Sequence, residues 1–404
     1  MNGRLRSLDV FRGATVALMI LVNNPGTWAS MYPPLAHAPW HGCTPTDLVF
    51  PFFLFAVGNA LAIVMPRLLA GPASAFWAKA ARRTLLIFAI GLFLNISPFV
   101  RWDAAGELVP RSLETLRVMG VLQRIALAFG AAAVIVWALG HRGVHTTLGA
   151  AALLLLGYWG ACLLLGAPGD PYSLEGFFGT AIDRSLLGAN HLYKGEGVPF
   201  DPEGLVSTWP AVAQVLLGCW VGRMVVGDGP PGSADAPGPA LVARLFLWAT
   251  LLLVLAYAWQ LQMPLNKKIW SSSYVLFTTG LAMMALATLI HLIEVRQGPR
   301  EAAVLWGWAS FFEAFGKNPL FVFVLSGFVP RVLALLRWQD GVNAEGLPMW
   351  TSTLPWAYQN VFAPVGAAIT SDPRLGSFLF ALANLSLYWA LAAWLDRRRI
   401  YIRV

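Results

Sequence analysis

Residues 46–68 read TDLVFPFFLFAVGNALAIVMPRL, and no charged side chain lies between Asp47 and Arg67. At about 1.5 Å of rise per residue, such a run is long enough as a helix to cross a hydrocarbon core of about 30 Å. Comparable apolar runs fall near 8–25, 81–99, 117–139, 147–166, 208–226, 241–262, 272–293, 318–337 and 375–396. The chain of 404 residues is 57% hydrophobic and only 12% charged, with 18 Trp and 24 Phe, which leaves too few polar residues to cover a soluble surface. Its mean hydropathy is +0.63. The reading is an all-α, polytopic integral membrane protein of about ten transmembrane helices, since helices satisfy their own backbone inside lipid.

Orientation follows from the basic residues. Arg4, Arg6, Arg67, Lys79, Arg82, Arg83, Arg142, Arg223, Arg244, Arg296, Arg300 and Arg397 to Arg399 fall on one side, which predicts both termini in the cytoplasm. Arg101, Arg111, Lys267 and Lys268 lie on the other side and weaken the pattern. The net charge of +8 is therefore read as loop orientation and contact with membrane lipid headgroups, with no nucleic-acid partner. Arg4 and Arg6 lead straight into the first run without a small-residue cleavage site, which predicts an uncleaved first helix. Cys43, Cys162 and Cys219 are too scattered for a disulfide framework. The Gly- and Pro-rich stretch 227–238 reads as a flexible inner linker between helix groups 1–226 and 239–404 within a single domain, 1–404. No internal repeat is visible, which disfavours a repeat-built transporter.

The densest polar stretch lies between the first two runs, on the predicted outer face. It contains Asn23-Asn24-Pro25-Gly26 and then His37-Ala-Pro-Trp40-His41-Gly-Cys43-Thr-Pro-Thr-Asp47. Asn23 and Asn24 either cap the first helix or, as neutral amides, donate to a developing oxyanion. His37 is the candidate base, because imidazole, with a reference pKa of about 6.5, can take a proton near neutral pH and return it. A purely structural histidine fits the same spacing. Asp47 caps the second helix or orients His37. His37, His41, Cys43 and Asp47 could be sketched as a zinc site, but their spacing matches no usual pattern and Pro39 argues against a helical pair, so no metal is expected. Cys43 as an acyl-accepting nucleophile is a further alternative.

Other candidates lie further along. Asp9 and Arg12 share a helical face near the inner boundary and either pair or meet a charged ligand. Gln123 and Arg124 sit within a predicted span, where a guanidinium is costly unless it serves a polar cavity. The long outer loop 167–207 carries His191, Asp201 and Glu203 and is mostly acidic. Asn266, Lys267 and Lys268 mark another outer turn, and 338–374 could hold a re-entrant hairpin at 354–370.

Taken together, Ser7-Leu-Asp9-Val-Phe-Arg12-Gly, Val22-Asn23-Asn24, His37-Ala-Pro-Trp40, Thr46-Asp47-Leu-Val-Phe-Pro-Phe-Phe, Val121-Leu-Gln123-Arg124, Asn190-His191-Leu-Tyr, Phe200-Asp201-Pro-Glu203-Gly and Asn266-Lys267 resemble the heparan-α-glucosaminide N-acetyltransferase family and its bacterial relatives. The resemblance runs in order over nearly the whole chain. It implies transfer of an acetyl group from cytoplasmic acetyl-CoA to the amine of a terminal glucosamine, or a related amino sugar, on the far side of a bacterial inner membrane. It places the active-site histidine on His37 and its paired asparagine on Asn23, with Asp47 in support, and requires neither His41 nor Cys43. Arg12, Arg124, Gln123, Asn24 and Asp9 are expected toward the donor, and His191, Asp201, Glu203, Asn266, Lys267 and Trp40 toward the glycan acceptor. Two competing readings share these residues: an amino-sugar transporter or flippase, and an O-acyltransferase acting on a cell-envelope glycan. A homodimer is compatible with the sequence, which identifies no interface.

Overall fold

The computed structural model describes residues 5–103, 105–140, 142, 144–227, 237–296 and 299–402, with side chains of the last stretch from 307 onward. Arg4, the Arg300 side chain and most of the proposed linker 227–238 lie outside the described residues.

The chain is a helical bundle: α1 (Arg6–Asn23), α2 (Val49–Leu69), α3 (Ala73–Ile96), α4 (Val121–Leu139), α5 (His145–Leu165), a short α6 (Phe178–Leu187), α7 (Thr208–Val226), α8 (Pro239–Trp259), α9 (Ser272–Ile290), α10 (Pro299–Lys317), α11 (Pro319–Leu333), α12 (Thr353–Ala357), α13 (Ala363–Ile369) and α14 (Arg374–Arg397). Helices occupy all ten apolar runs. Among the described residues seven helices are long and apolar enough to cross a membrane, or eight with the pair α10 and α11, which bends by 78° at its break. Such a set of apolar helices makes this a multi-pass integral membrane protein. The early turns of α1 and α3 carry Arg6, Asp9 and Arg12, and Lys79, Arg82 and Arg83, which shorten their apolar stretches.

Close crossings of small residues hold the bundle together. At the α2–α7 crossing, a Cβ added to Gly58 would lie 2.1 Å from the Val215 carbonyl oxygen, and one on Gly218 would lie 2.3 Å from that of Phe55. Gly222 follows one turn after Gly218, giving the Gly-xxx-Gly spacing that lets helices approach in lipid. α1 meets α10 the same way through Gly13 and Gly316. Around these contacts Leu54, Phe55, Ala126, Val215, Leu216 and Trp220 are buried.

Three features differ from the sequence reading. No apolar run was read over α10, where Glu313 and Lys317 dilute the hydropathy; it packs on α1 and α14, with Lys317 bonded to Asp396 at 2.9 Å. The stretch 354–370 is not a hairpin but a helical run, α12 and α13 joined by a π turn at Tyr358–Phe362 and packed on α14. The chain is also not purely helical. Antiparallel β1 (Val100–Trp102) and β2 (Leu108–Pro110) form one hairpin, and β3 (Arg337–Val342) and β4 (Pro348–Ser352) another. The Arg337 guanidinium lies 3.9 Å from the Trp102 ring and 4.5 Å from that of Trp350, pinning the hairpins together by cation–π contact.

Candidate active site

The turn into α2 builds the site. Thr44 and Asp47 form a capping box over the 3-10 turn Pro45–Leu48, and Asp47 Oδ2 accepts from the backbone N–H groups of Ala38 (3.0 Å) and Thr44 (3.1 Å). The other carboxylate oxygen lies 2.7 Å from His37 Nδ1. Asp47 is 1% exposed and His37 43% exposed, so a buried acid holds an accessible imidazole. With the Nδ1 proton directed at Asp47, the Nε2 lone pair is free to act as a base. Capping and orienting, read from sequence as alternatives, are done by opposite oxygens of one carboxylate.

His37 opens on a cavity of about 150 Å³ whose polar lining includes Asn23 from the end of α1, Thr46, Glu203 and Lys267, with Phe50 of α2 and Ile125 of α4 among its apolar walls. Among the described residues the Asn23 carboxamide has no hydrogen-bond partner and is exposed to this space. Asn24, by contrast, turns back to the Ile20 carbonyl at 2.9 Å and caps the helix.

Lys267 enters from the turn between α8 and α9. Asn266 shapes that turn, its Oδ1 accepting from Ile269 N–H and its own N–H donating to Ser271 Oγ, both at 3.0 Å. Trp270 takes a left-handed φ of 54° there, strain that its packing against Phe50, Tyr274 and Arg124 sustains. Lys267 Nζ lies 3.4 Å from Asp47 Oδ1 and 3.0 Å from His37 Nδ1. Burial pulls its proton affinity down, against the opposing charges of Asp47 and Glu203.

Glu203 and Asp201 are held by a residue that the sequence reading missed. Arg117, just before α4, donates to both Asp201 oxygens at 2.9 and 2.6 Å and to Glu203, and stacks 4.9 Å from the Tyr193 ring. Burial would raise Glu203, but Arg117, Arg124 and Lys267 outweigh it and hold the carboxyl below its ordinary range. The signal for Arg117 was present: a lone cation facing an acidic loop. Arg124 is fully buried and donates to the carbonyl of Pro202 (2.7 Å) and to Ser207, so it braces this loop; neither it nor Gln123 is brought to the cavity.

The remaining candidates frame the site rather than line it. Trp40 Nε1 donates to the Tyr172 carbonyl at 2.9 Å, and His191 Nδ1 lies 2.7 Å from the Leu116 carbonyl oxygen. Asn266 is buried and contacts His41 at 3.3 Å. The Cys43 thiol is pushed up to about 12 by burial and by Asp47, which disfavours the thiolate a nucleophile requires. Among the described residues no three His, Cys, Asp or Glu side chains converge as metal ligands. Asp9 and Arg12 pair with each other at the opposite end of α1.

A second cavity, of about 410 Å³, lies between α2, α3 and α4 and is lined by Lys79, Arg82 and Arg83, with Leu61, Phe129 and Ala133 among its apolar walls. Among the described residues these three cations have no carboxylate partner, and Arg83 Nε is buried without a hydrogen bond. Arg12 lies within electrostatic reach of Arg83.

The loop bearing Glu203 carries its own pH dependence. Burial pushes Asp183, in α6, up to about 6, although Val206 N–H donates to it. A carboxyl raised on folding stabilises the fold fully below its unfolded value of about 4, and that contribution is lost as pH rises through about 6. Amides of 201–207 are expected to show higher hydrogen-exchange protection near about pH 5 than near about pH 7. Asp183→Asn should erase the difference.

No family model matches the chain. It is similar to the human heparan-alpha-glucosaminide N-acetyltransferase, 29% identical over 370 residues covering 80% of this chain and 52% of the human protein. The mouse protein of the same name is 28% identical over 370 residues, covering 80% of this chain and 53% of its own. The chain thus spans about half the length of the curated relatives it matches. Those relatives bear the name of the family that the sequence motifs resemble.

Proposed function

We propose that this protein moves an acetyl group from acetyl-CoA on the cytoplasmic side to the amine of a terminal glucosamine or related amino sugar on the outer side of a bacterial inner membrane. The observation that carries this reading is the alignment of the two cavities along one seam. Phe53 and Leu61 of α2 line the first and second cavity respectively, and so do Ile125 and Phe129 of α4. At about 1.5 Å per residue these pairs are separated by about 12 Å and about 6 Å along their helices, within the reach of an extended pantetheine arm. Phosphates would meet Lys79, Arg82 and Arg83, and the thioester would meet His37. α1 carries Arg6 at one end and Asn23 at the other, so it and α3 would cross with the rest, giving about ten spans and both termini inside.

The chemistry is acyl transfer. The acceptor nitrogen attacks the thioester carbonyl while His37 Nε2 takes its proton, and Asn23 donates to the oxyanion. As the tetrahedral adduct collapses, the C–S bond breaks and the thiolate takes the proton from His37. N-acetylated sugar and free CoA leave. We favour this direct transfer over an acetyl-histidine intermediate, because one imidazole then does all the proton work.

Purified protein in detergent, given acetyl-CoA and glucosamine, is expected to release free CoA. No turnover with any amine or hydroxyl acceptor, together with sugar uptake in liposomes, would replace this reading with a transporter. The donor path has its own test. Arg82→Gln combined with Arg83→Gln should raise KM for acetyl-CoA about tenfold with kcat little changed, since charge-assisted contacts to phosphate act on binding.

A further inference from the structure

His37 shares its carboxylate with a second cation. Nδ1 has its in-plane axis occupied by Asp47 Oδ1 at 2.7 Å, and Lys267 Nζ approaches that same oxygen at 3.4 Å. Nζ also lies 3.0 Å from Nδ1 and 3.4 Å from Nε2. An atom that near to both ring nitrogens cannot stand on the lone-pair axis of either. The ammonium therefore sits over the imidazole, leaving the Nε2 lone pair open to the cavity. The charged groups facing His37 are Asp47 from the start of α2, Lys267 from the α8–α9 turn, and Glu203 from the 201–207 loop, the last bonded to Arg117. Cys43, on the same loop as His37, is a neutral thiol.

We propose that Lys267 is a positioning residue that holds His37 in its neutral, base-competent form, by opposing the imidazolium directly and by competing for Asp47. Both effects have one sign. A proton added at Nε2 places two cations a few ångströms apart in a partly dry cavity, and the carboxylate that would stabilise the new charge is already divided between them. His37 then works as a base at lower pH than it otherwise would, and a proton taken from the acceptor is more readily passed to the departing thiolate. The kinetic consequence rests on the acetyl-transfer reading; the effect on His37 does not.

The test reads His37 itself. Wild type and variants are treated with diethyl pyrocarbonate across a pH series, and the initial rate of His37 modification is followed by peptide mass spectrometry. Replacing Lys267 by Met or by Gln is expected to move the midpoint of that profile upward by about one pH unit, while Lys267→Arg keeps the wild-type midpoint. Lys268→Met should also keep it, because Lys268 bonds Glu196 at 2.6 Å and the Pro39 carbonyl at 2.7 Å. The acid limb of kcat/KM should move with the chemical midpoint. An unmoved or lowered midpoint in whichever of the Met and Gln variants folds would overturn the proposal. The labelling needs no turnover, so a moved midpoint without CoA release would defeat the acetyl-transfer reading and leave the role of Lys267 standing.

Discussion

On the acetyl-transfer reading proposed above, His37→Ala is expected to lower kcat/KM by about 10²- to 10⁴-fold, the range that a positioned general base contributes. The same change should leave thermal stability nearly untouched. His37 sits half-exposed on a loop, and Asp47 keeps its bonds to the Ala38 and Thr44 amides when the imidazole is gone. Free CoA release at saturating donor, measured beside an unfolding curve in the same detergent, separates loss of chemistry from loss of fold. More than a tenth of wild-type turnover would remove His37 from the mechanism. Asp47→Ala makes a useful contrast. It removes both the orienting oxygen and the helix cap, so it should reduce activity and stability together, by about 1 kcal/mol for the cap alone.

A large structural effect is expected at Gly218, in the middle of the α2–α7 crossing. A side chain there would drive its Cβ to 2.3 Å from the Phe55 carbonyl oxygen, where backbone meets backbone and nothing flexible can yield. Gly218→Val should force α2 and α7 apart and cost more than about 4 kcal/mol, enough to deplete the folded protein. The monodisperse fraction on size exclusion and the midpoint of thermal unfolding would both report it. Gly160 of α5, whose added Cβ would meet nothing within 4 Å, is the control. Its replacement by alanine should be neutral or mildly stabilising, because it relieves the helix of backbone entropy. A Gly218→Val protein as stable as wild type would mean that this crossing does not hold the bundle.

The parts of the molecule legible in sequence are those written locally. The apolar runs announced their helices, and the histidine with its downstream acid, ten residues apart and each two positions from a proline, Pro39 and Pro45, announced a built loop. What could not be read depended on partners far away along the chain. Arg124 looked like a ligand for the donor because a buried guanidinium needs polar company, but its company is the Pro202 carbonyl and Ser207, some eighty residues later. Lys267 looked like an acceptor contact, and only folding brings it over His37, a separation of 230 residues. α10 escaped because its charges are neutralised by tertiary pairs such as Lys317 with Asp396. Hydropathy counts such charges as solvent-facing.

The two cavities on the α2–α4 seam also differ in how freely they can fill. His37 and Asn23 face open space, so on the proposed reading a sugar could reach the imidazole without any helix moving. Leu54 of α2 and Ala126 of α4, which lie along their helices between residues that line one cavity and the other, are both fully buried. On the proposed reading, a donor spanning from Arg83 to His37 would have to pass that buried stretch first. On the proposed reading the two substrates then arrive on different clocks: acceptor association is set by diffusion, and donor association by the rate at which two helices separate. Donor on-rates should accordingly rise steeply with temperature and soften with bilayer thickness, while acceptor on-rates follow viscosity alone.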